Sequence, residues 1–204
     1  MNELKLLDIF LLPKSFYQGI KSKRSTLYIA FILVGINDLL PYISQNSHKL
    51  FTGKSSSVVT TNILVSTAFI IFLGLIDAFL FCKPLGDLLN RISKKDVSIS
   101  GGGNLVKLIK IYTAANVLIL LINIVSIILG GGGSGSTDYT YSPSVLDTLV
   151  NVWFCAIIVR GAGVVYKLEG RNKIGAFIAV YAWSLLLLPA LSFISSNLYL
   201  PLLK

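Results

Sequence analysis

The two apolar runs VLDTLVNVWFCAIIVRGAGVVY (residues 145–166) and IGAFIAVYAWSLLLLPAL (residues 174–191) decide the fold class. Each run is close to the roughly 20 mostly apolar residues that a helix needs to cross a bilayer. A short charged turn at 167–173 joins them, and Arg160 lies inside the first run. Because an ionisable residue inside a span is costly without a partner, this stretch predicts a membrane protein with an internal polar site.

The composition extends this prediction to the whole chain. Of its 204 residues, 54% are hydrophobic and only 13% are charged. The apolar runs lack the period-2 alternation of membrane β-strands, so helices are expected. We therefore predict an all-α, polytopic membrane bundle. Its five transmembrane helices are expected at about 26–44, 60–81, 107–129, 145–166 and 174–195.

The positive charge is distributed unevenly between the two predicted sides of the membrane. The net charge is +9, and fourteen of the eighteen Lys and Arg residues fall in the N-terminal arm and in the second and fourth loops. The positive-inside rule then predicts a cytoplasmic N-terminus and an external C-terminus, in the cytoplasmic membrane if the source is prokaryotic. The charge is spread along loops without an RNA- or DNA-binding motif, so no nucleic-acid partner is expected.

Three segments outside the spans also carry predictions. Residues 1–24 are expected to form a cytoplasmic amphipathic arm lying on the membrane surface, with Phe16 and Tyr17 turned towards lipid, and a disordered basic leader is the alternative. Apolar residues at helical spacing predict a second surface helix at 84–95, which the glycines at 101–103 end. The Gly/Ser loop at 130–136 is expected to be a flexible linker, either native or engineered.

Three charged residues lie inside the predicted spans, namely Asp38, Asp77 and Arg160. Counting along the second and fourth spans puts Asp77 and Arg160 at similar depth, which predicts an intramembrane ion pair between them. The pair is expected to fix helix register, with a transport or proton-relay role as the sharper alternative. Arg160 could also extend its side chain to the cytoplasmic surface without a partner.

A second polar layer is expected towards the outer side, where Asn37 and Asp38 of the first span fall near the depth of Asn123 in the third. Hydrogen bonds between helices are the expected role, and a path for a small solute is the alternative. Small residues that allow close helix packing are predicted at Gly161, Gly163, Gly175 and Ala179.

The sequence offers little for catalysis or for a cofactor. It has one histidine, no metal-ligand cluster and no hydrolase motif, so no enzymatic activity, cofactor or metal is expected. Residues 52–55 resemble the end of a phosphate-binding loop but lack its first glycine and its strand, so no nucleotide site is expected. The two cysteines, Cys82 and Cys155, are expected to be reduced because they fall at different depths.

Several short motifs accompany the spans. The arm carries Pro13-Lys14-Ser15-Phe16-Tyr17 before a basic run, a glycine turn at 101–103 precedes 107–112, and Trp153 lies in the fourth span. With five spans, these features resemble the prokaryotic branch of the Yip1 family. The resemblance implies a helical membrane protein without known enzymatic activity, whose eukaryotic relatives act in vesicle traffic with small GTPases.

Three functions remain open from the sequence. The first is a non-catalytic membrane scaffold, trafficking or assembly factor that contacts lipid and other membrane proteins, including further copies of itself. The second is a small transporter or permease subunit working with a separate ATPase, and the third is an intramembrane enzyme acting on lipid. A transporter is expected to have a water-filled cavity that reaches Asp77 and Arg160. A scaffold is expected to have these two residues in a dry, closed ion pair.

Overall fold

The computed structural model describes Asp8 and residues 10–93, 101–128 and 145–203, and all regular structure in this part of the chain is helical. The helices are α1 (Lys14–Gly19), α2 (Leu27–Phe51), α3 (Ser56–Ile92), α4 (Gly101–Ile128), α5 (Val145–Val165) and α6 (Arg171–Ile194). A 3₁₀ turn at Arg24–Thr26 precedes α2, and short π and 3₁₀ segments at Ser195–Tyr199 and Leu200–Leu202 extend α6. The predicted linker at 130–136 lies outside the described residues.

Five of these helices, α2 to α6, are long and apolar enough to cross a membrane. The mean hydropathy of their most apolar windows runs from 1.6 to 2.4. Large apolar side chains such as Leu64, Leu186 and Phe193 remain exposed, between 64% and 68%, as expected of surfaces that face lipid. The chain is a multi-pass membrane protein, and the predicted all-α bundle with five spans is confirmed.

The five membrane helices form a closed ring. In the circular order α2, α3, α6, α5, α4, each helix packs against the next, and α4 packs against α2 to complete the circle. Helix α3 also contacts α4 across the ring. Helices α3 and α5 are therefore not neighbours around the circle.

The closest helix contact in the ring lies between α2 and α3 at two glycines. A Cβ atom on Gly35 would lie 1.8 Å from the carbonyl oxygen of Ile70, and one on Gly74 would lie 1.8 Å from that of Phe31. Because both obstructing atoms belong to the backbone, no side-chain movement can make room for a methyl group. These two positions therefore require glycine, and they hold the two helix backbones in direct contact.

The small residues predicted from the sequence have a mixed outcome. Gly161 packs tightly, since a Cβ there would lie 2.7 Å from side-chain atoms of Ile111 and Tyr17. Gly163 has only an ordinary contact, and Ala179 is half-buried. The prediction was wrong for Gly175, which is exposed and has no atom within 4 Å of the position of a Cβ among the described residues. A small residue permits close packing but does not determine which helix face meets a neighbour.

The surface helix predicted at 84–95 was wrong as a separate element, because residues 84–92 continue α3 without a break through Pro84. Its apolar residues Leu85 and Leu89 are buried in the bundle rather than turned towards lipid. The end of α3 is also attached to the turn between α5 and α6: Ser93 donates a 2.8 Å hydrogen bond to the carbonyl of Tyr166, and Asn172 donates one of 3.1 Å to that of Ile92.

Candidate functional site

A cavity of about 200 Å³, lined by both polar and apolar side chains, lies between the five membrane helices. It extends from Asp147, which is exposed near the start of α5, to Asp77, which is only 1% exposed. Its polar lining consists of Asn37, Asp38, Asp77, Tyr112, Asn116, Asn123, Asp147, Asn151 and Ser184. No Lys, Arg or His lies among the described residues that line it, so the cavity wall carries acidic but no basic groups.

Asp77 lies at the inner end of the cavity. The phenol group of Tyr112 donates a 2.5 Å hydrogen bond to its Oδ2 atom. The other carboxyl oxygen, Oδ1, is inaccessible to solvent and has no hydrogen-bond partner among the described residues. Buried polar atoms are nearly always paired, so one half of this carboxyl group is held in place, while the other half is a buried polar atom that lacks a partner among the described residues.

Asp38 brings a second carboxyl group to the same cavity. Its Oδ2 atom is likewise inaccessible and unpaired in the described part of the chain. Asp38 and Asp77 each follow one of the close-contact glycines by three residues, Gly35 on α2 and Gly74 on α3. They are near enough for their charges to interact. Each of these two carboxyl groups, which line the same cavity, therefore has one oxygen without a partner in the described part of the chain.

An amide network forms the wall beside these carboxyl groups. Asn37 donates a 2.8 Å hydrogen bond to Oδ1 of Asn116, and Asn123 donates one of 3.0 Å to Oδ1 of Asn37. Asn116 in turn donates to the carbonyl of Tyr112. The predicted hydrogen bond between the first and third spans is thus present, and Asp38 lines the cavity beside it. The network holds α2 against α4 and uses amide groups that a ligand would otherwise reach.

Across the cavity, α5 and α6 are joined by a smaller polar cluster. Ser184 donates a 3.2 Å hydrogen bond to the side-chain oxygen of Asn151. The thiol of Cys155 lies 3.8 Å from both groups. Both cysteines, Cys82 and Cys155, are free and buried.

Three aromatic rings line the inner end of the cavity. Phe81 and Tyr112 stack with their ring centroids 4.3 Å apart, and Phe154 meets them edge-on at 6.1 and 5.7 Å. One turn away from Tyr112 and Phe154, respectively, Leu108 and Ile158 are completely buried. The cavity therefore ends at an aromatic layer backed by close-packed aliphatic side chains.

The predicted ion pair between Asp77 and Arg160 is wrong. Arg160 instead forms an ion pair with Asp8 of the N-terminal arm, and Asp77 is paired with Tyr112. The physical reason is the rotation of α5. Its Phe154 reaches Phe81 of α3 across the cavity, but Arg160 lies on the side of α5 that meets the arm. Equal depth therefore placed Asp77 and Arg160 at one level of the membrane but did not show which way each side chain points.

The arm itself packs along α5. Tyr17 is 1% exposed, and the single proton of its hydroxyl group is shared between the carbonyls of Leu11 (2.7 Å) and Ile157 (3.2 Å). Burial raises the pKa of Tyr17 to about 12, an effect that the charge of Arg160 partly opposes. Farther along α5, the indole of Trp153 donates a 2.7 Å hydrogen bond to the carbonyl of Phe10.

These contacts change the expected position of the arm. Trp153 lies near the middle of α5, so the segment at Phe10 reaches well into a membrane-spanning helix rather than resting only at its end. Phe16 is exposed, whereas Tyr17 faces protein rather than lipid. The arm therefore covers α5 from Trp153 to Arg160, on the far side of the aromatic layer from the open part of the cavity.

Comparisons with family models, curated proteins and solved structures find no match for the chain. The candidate site is therefore defined by its geometry alone. It consists of a polar cavity inside a five-helix ring, two unpaired carboxyl oxygens at its inner end, and an aromatic layer that closes it.

Proposed function

We propose that the protein is a small permease, which binds a polar solute in the cavity between its membrane helices and carries it across the bilayer. The observation that carries this proposal is the position of Asp77, a 1%-exposed carboxylate with one unpaired oxygen at the inner end of a polar cavity. Ionisable groups inside membranes are costly, and they typically mark ion or substrate pathways. A protein that only holds helices together gains nothing from leaving such a group unpaired.

The shape of the cavity also supports transport. It is accessible near Asp147, at the end of α5 that the charge distribution predicts to be outside, and it stops at the ring of Phe81. Beyond the rings, the arm and Tyr17 cover α5. A site open towards one side and closed towards the other is what alternating access requires of one state of a carrier.

The inner closure depends on contacts that can be exchanged. Arg160 is held by Asp8, a residue of the arm. The arm is attached to α5 by hydrogen bonds at Ile157 and Trp153 and by the buried side chain of Tyr17. Release of the arm would expose the inner half of α5 without breaking the ring of membrane helices. The arm is therefore a suitable element for opening the second side during transport.

The scaffold or assembly role, with partners among other membrane proteins, stays a prediction from the sequence, as does the family resemblance. Action beside a separate ATPase also stays a prediction. A permease differs from a scaffold and from a subunit that needs an ATPase in one measurable property: the pure protein moves a solute by itself.

The test is an efflux experiment with purified protein in liposomes. The liposomes are loaded with a mixture of small amines, amino acids, sugars and carboxylic acids, and the retained solutes are measured by mass spectrometry over time. We expect at least one solute to leave faster than from protein-free liposomes, and this difference to disappear in Asp77→Asn. If every solute is retained equally with and without protein, the permease proposal is wrong, and partner purification under native conditions becomes the test of the scaffold role.

A further inference from the structure

We propose that the inner end of the cavity binds a small organic ammonium ion, held between the carboxyl groups of Asp38 and Asp77. This inference rests on the proposed function, since it names the class of solute that the permease would carry. Three properties of the site support it: the sign of its charge, the atoms left available for hydrogen bonds, and the aromatic rings beside the carboxyl groups.

The charge of the lining selects a cation. Asp38, Asp77 and Asp147 bring three carboxyl groups to the cavity, and no basic side chain lies among its described lining residues. In their ionised form the two buried groups, Asp38 and Asp77, attract a positive ion and repel an anion, and a bound cation in turn stabilises the ionised form. A carboxylic acid or a phosphate ester would meet only like charge at this site.

The carboxyl oxygens that have no partner favour a ligand that donates hydrogen bonds. The amide oxygens of Asn37, Asn116 and Asn151 already accept hydrogen bonds from neighbouring side chains. The two carboxyl oxygens without partners, Oδ2 of Asp38 and Oδ1 of Asp77, are acceptors when ionised. A primary ammonium group has three N–H donors on one positively charged nitrogen, which is enough to supply a donor to each of these acceptors.

The surroundings favour an ammonium ion over a bare metal ion. A hard cation such as Ca²⁺ takes six to eight oxygen ligands, and no group of three or more His, Cys, Asp or Glu residues among those described could hold a metal. The rings of Phe81, Tyr112 and Phe154 line the same end of the cavity. Aromatic rings attract organic cations, and their apolar surface contacts the carbon atoms of the ligand.

The volume limits the size of the ligand. At about 30 Å³ per water molecule, a cavity of about 200 Å³ corresponds to roughly six waters. An ammonium ion with two to four carbon atoms is of this size. Ethanolammonium is a suitable probe because its two relatives isolate the proposed contacts: choline keeps the charge but has no N–H donor, and ethylene glycol has the donors of a hydroxyl group but no charge.

The experiment measures binding of these three compounds to the purified full-length protein in detergent by equilibrium dialysis at neutral pH. We expect ethanolammonium to bind at least tenfold more tightly than choline, and ethylene glycol not to compete. Asp38→Asn and Asp77→Asn should each raise the Kd for ethanolammonium at least tenfold. The matched control is Asp87→Asn, which removes an exposed carboxylate of the same helix, α3, outside the cavity and should leave the Kd unchanged.

A second measurement needs no variant and therefore does not depend on how the variants fold. Dicyclohexylcarbodiimide reacts with carboxyl groups in apolar surroundings, and peptide mapping identifies the modified residue. Ethanolammonium should slow the modification of Asp38 and Asp77 in the wild-type protein, and ethylene glycol should not. Unchanged modification rates, or equal binding of ethanolammonium to wild type and to both Asn variants, would overturn the inference.

Further outcomes separate this inference from the permease proposal. If sodium ions displace ethanolammonium at equal concentration, the site recognises charge alone and the ammonium inference is wrong. If ethanolammonium binds but no solute crosses the membrane, the binding site stands and the permease proposal fails. If another solute is transported while ethanolammonium does not bind, the permease proposal stands and the ammonium inference fails.

Discussion

Replacing Gly74 by alanine should separate α2 from α3 and destabilise the protein. The added Cβ would lie 1.8 Å from the carbonyl oxygen of Phe31, whereas a close carbon–oxygen contact between helices measures about 3.3 Å. The two backbones must therefore move apart by about 1.5 Å at this point. Overpacking of this kind costs about 1–3 kcal/mol.

Gly175→Ala is the matched control for this change. Both substitutions add one methyl group to a membrane helix, and both gain the preference of alanine over glycine in helices, about 1 kcal/mol. At Gly175 no described atom lies within 4 Å of the added carbon. The difference between the two variants therefore isolates the steric cost at the contact between α2 and α3.

Thermal unfolding in detergent, followed by the loss of monodisperse protein on size-exclusion chromatography, measures this difference. A cost of about 2 kcal/mol corresponds to a Tm roughly 4–8 °C lower for a chain of this size. Gly35→Ala should behave like Gly74→Ala, and both should weaken ligand binding because Asp38 and Asp77 lie one turn from these glycines. Equal Tm values for Gly74→Ala and Gly175→Ala would refute the close contact.

Two further predictions concern the arm. Tyr17→Phe removes the hydrogen bond that the single O–H shares between two carbonyls, worth about 1 kcal/mol, so trypsin should cleave the arm at Lys14 about fivefold faster. Phe16→Leu, at an exposed neighbour, should leave the rate unchanged. Burial raises the pKa of Tyr17 from 10.0 to about 12. Its contribution to arm docking is therefore complete below pH 10 and is lost as the pH rises towards 12. If cleavage of Tyr17→Phe depended on pH in the same way as cleavage of the wild-type protein, this prediction would be contradicted. A double-mutant cycle of Asp8→Asn and Arg160→Gln should give a coupling of about 1 kcal/mol in the free energy of unfolding. The control cycle, Asp77→Asn with Arg160→Gln, should give a coupling of less than about 0.3 kcal/mol. A larger coupling with Asp77 than with Asp8 would support the ion pair that the sequence predicted.

The spans could be predicted from the sequence because apolar length is a local property of the chain. Asn37 and Asn123 could also be found, since amides are uncommon inside membrane helices and both residues fall at similar depth. Asn116 and Asn123 are seven residues apart and share one face of α4, a spacing that offered a signal for the whole amide network.

The partners of the charged residues could not be predicted in the same way. Depth along a helix follows from counting residues, but the neighbours of a helix follow from how all five helices pack. Arg160 was assigned to Asp77 because their depths agreed, and the arm that carries Asp8 was left at the membrane surface. The contact that gives Arg160 its partner joins it to Asp8, 152 positions away in the chain.

The close-contact glycines illustrate the same limit. Gly35, Gly74, Gly161 and Gly175 look alike in sequence, since each is a glycine in an apolar helix. Three of them face other parts of the protein and one is exposed. Only the rotation of each helix in the ring distinguishes them, and that rotation is set by the packing of many side chains together.

Efflux of ethanolammonium from liposomes tests the central claim most directly, because it joins the cavity, its carboxyl groups and transport in one measurement. At pH 6.5, where the amine is charged and crosses lipid slowly, ethanolammonium should leave liposomes containing the wild-type protein or Asp87→Asn faster than protein-free liposomes. Asp38→Asn and Asp77→Asn should reduce the rate to that of lipid alone. Equal rates for wild type, Asp77→Asn and protein-free liposomes would contradict the claim that the carboxyl groups in the cavity serve an ammonium permease.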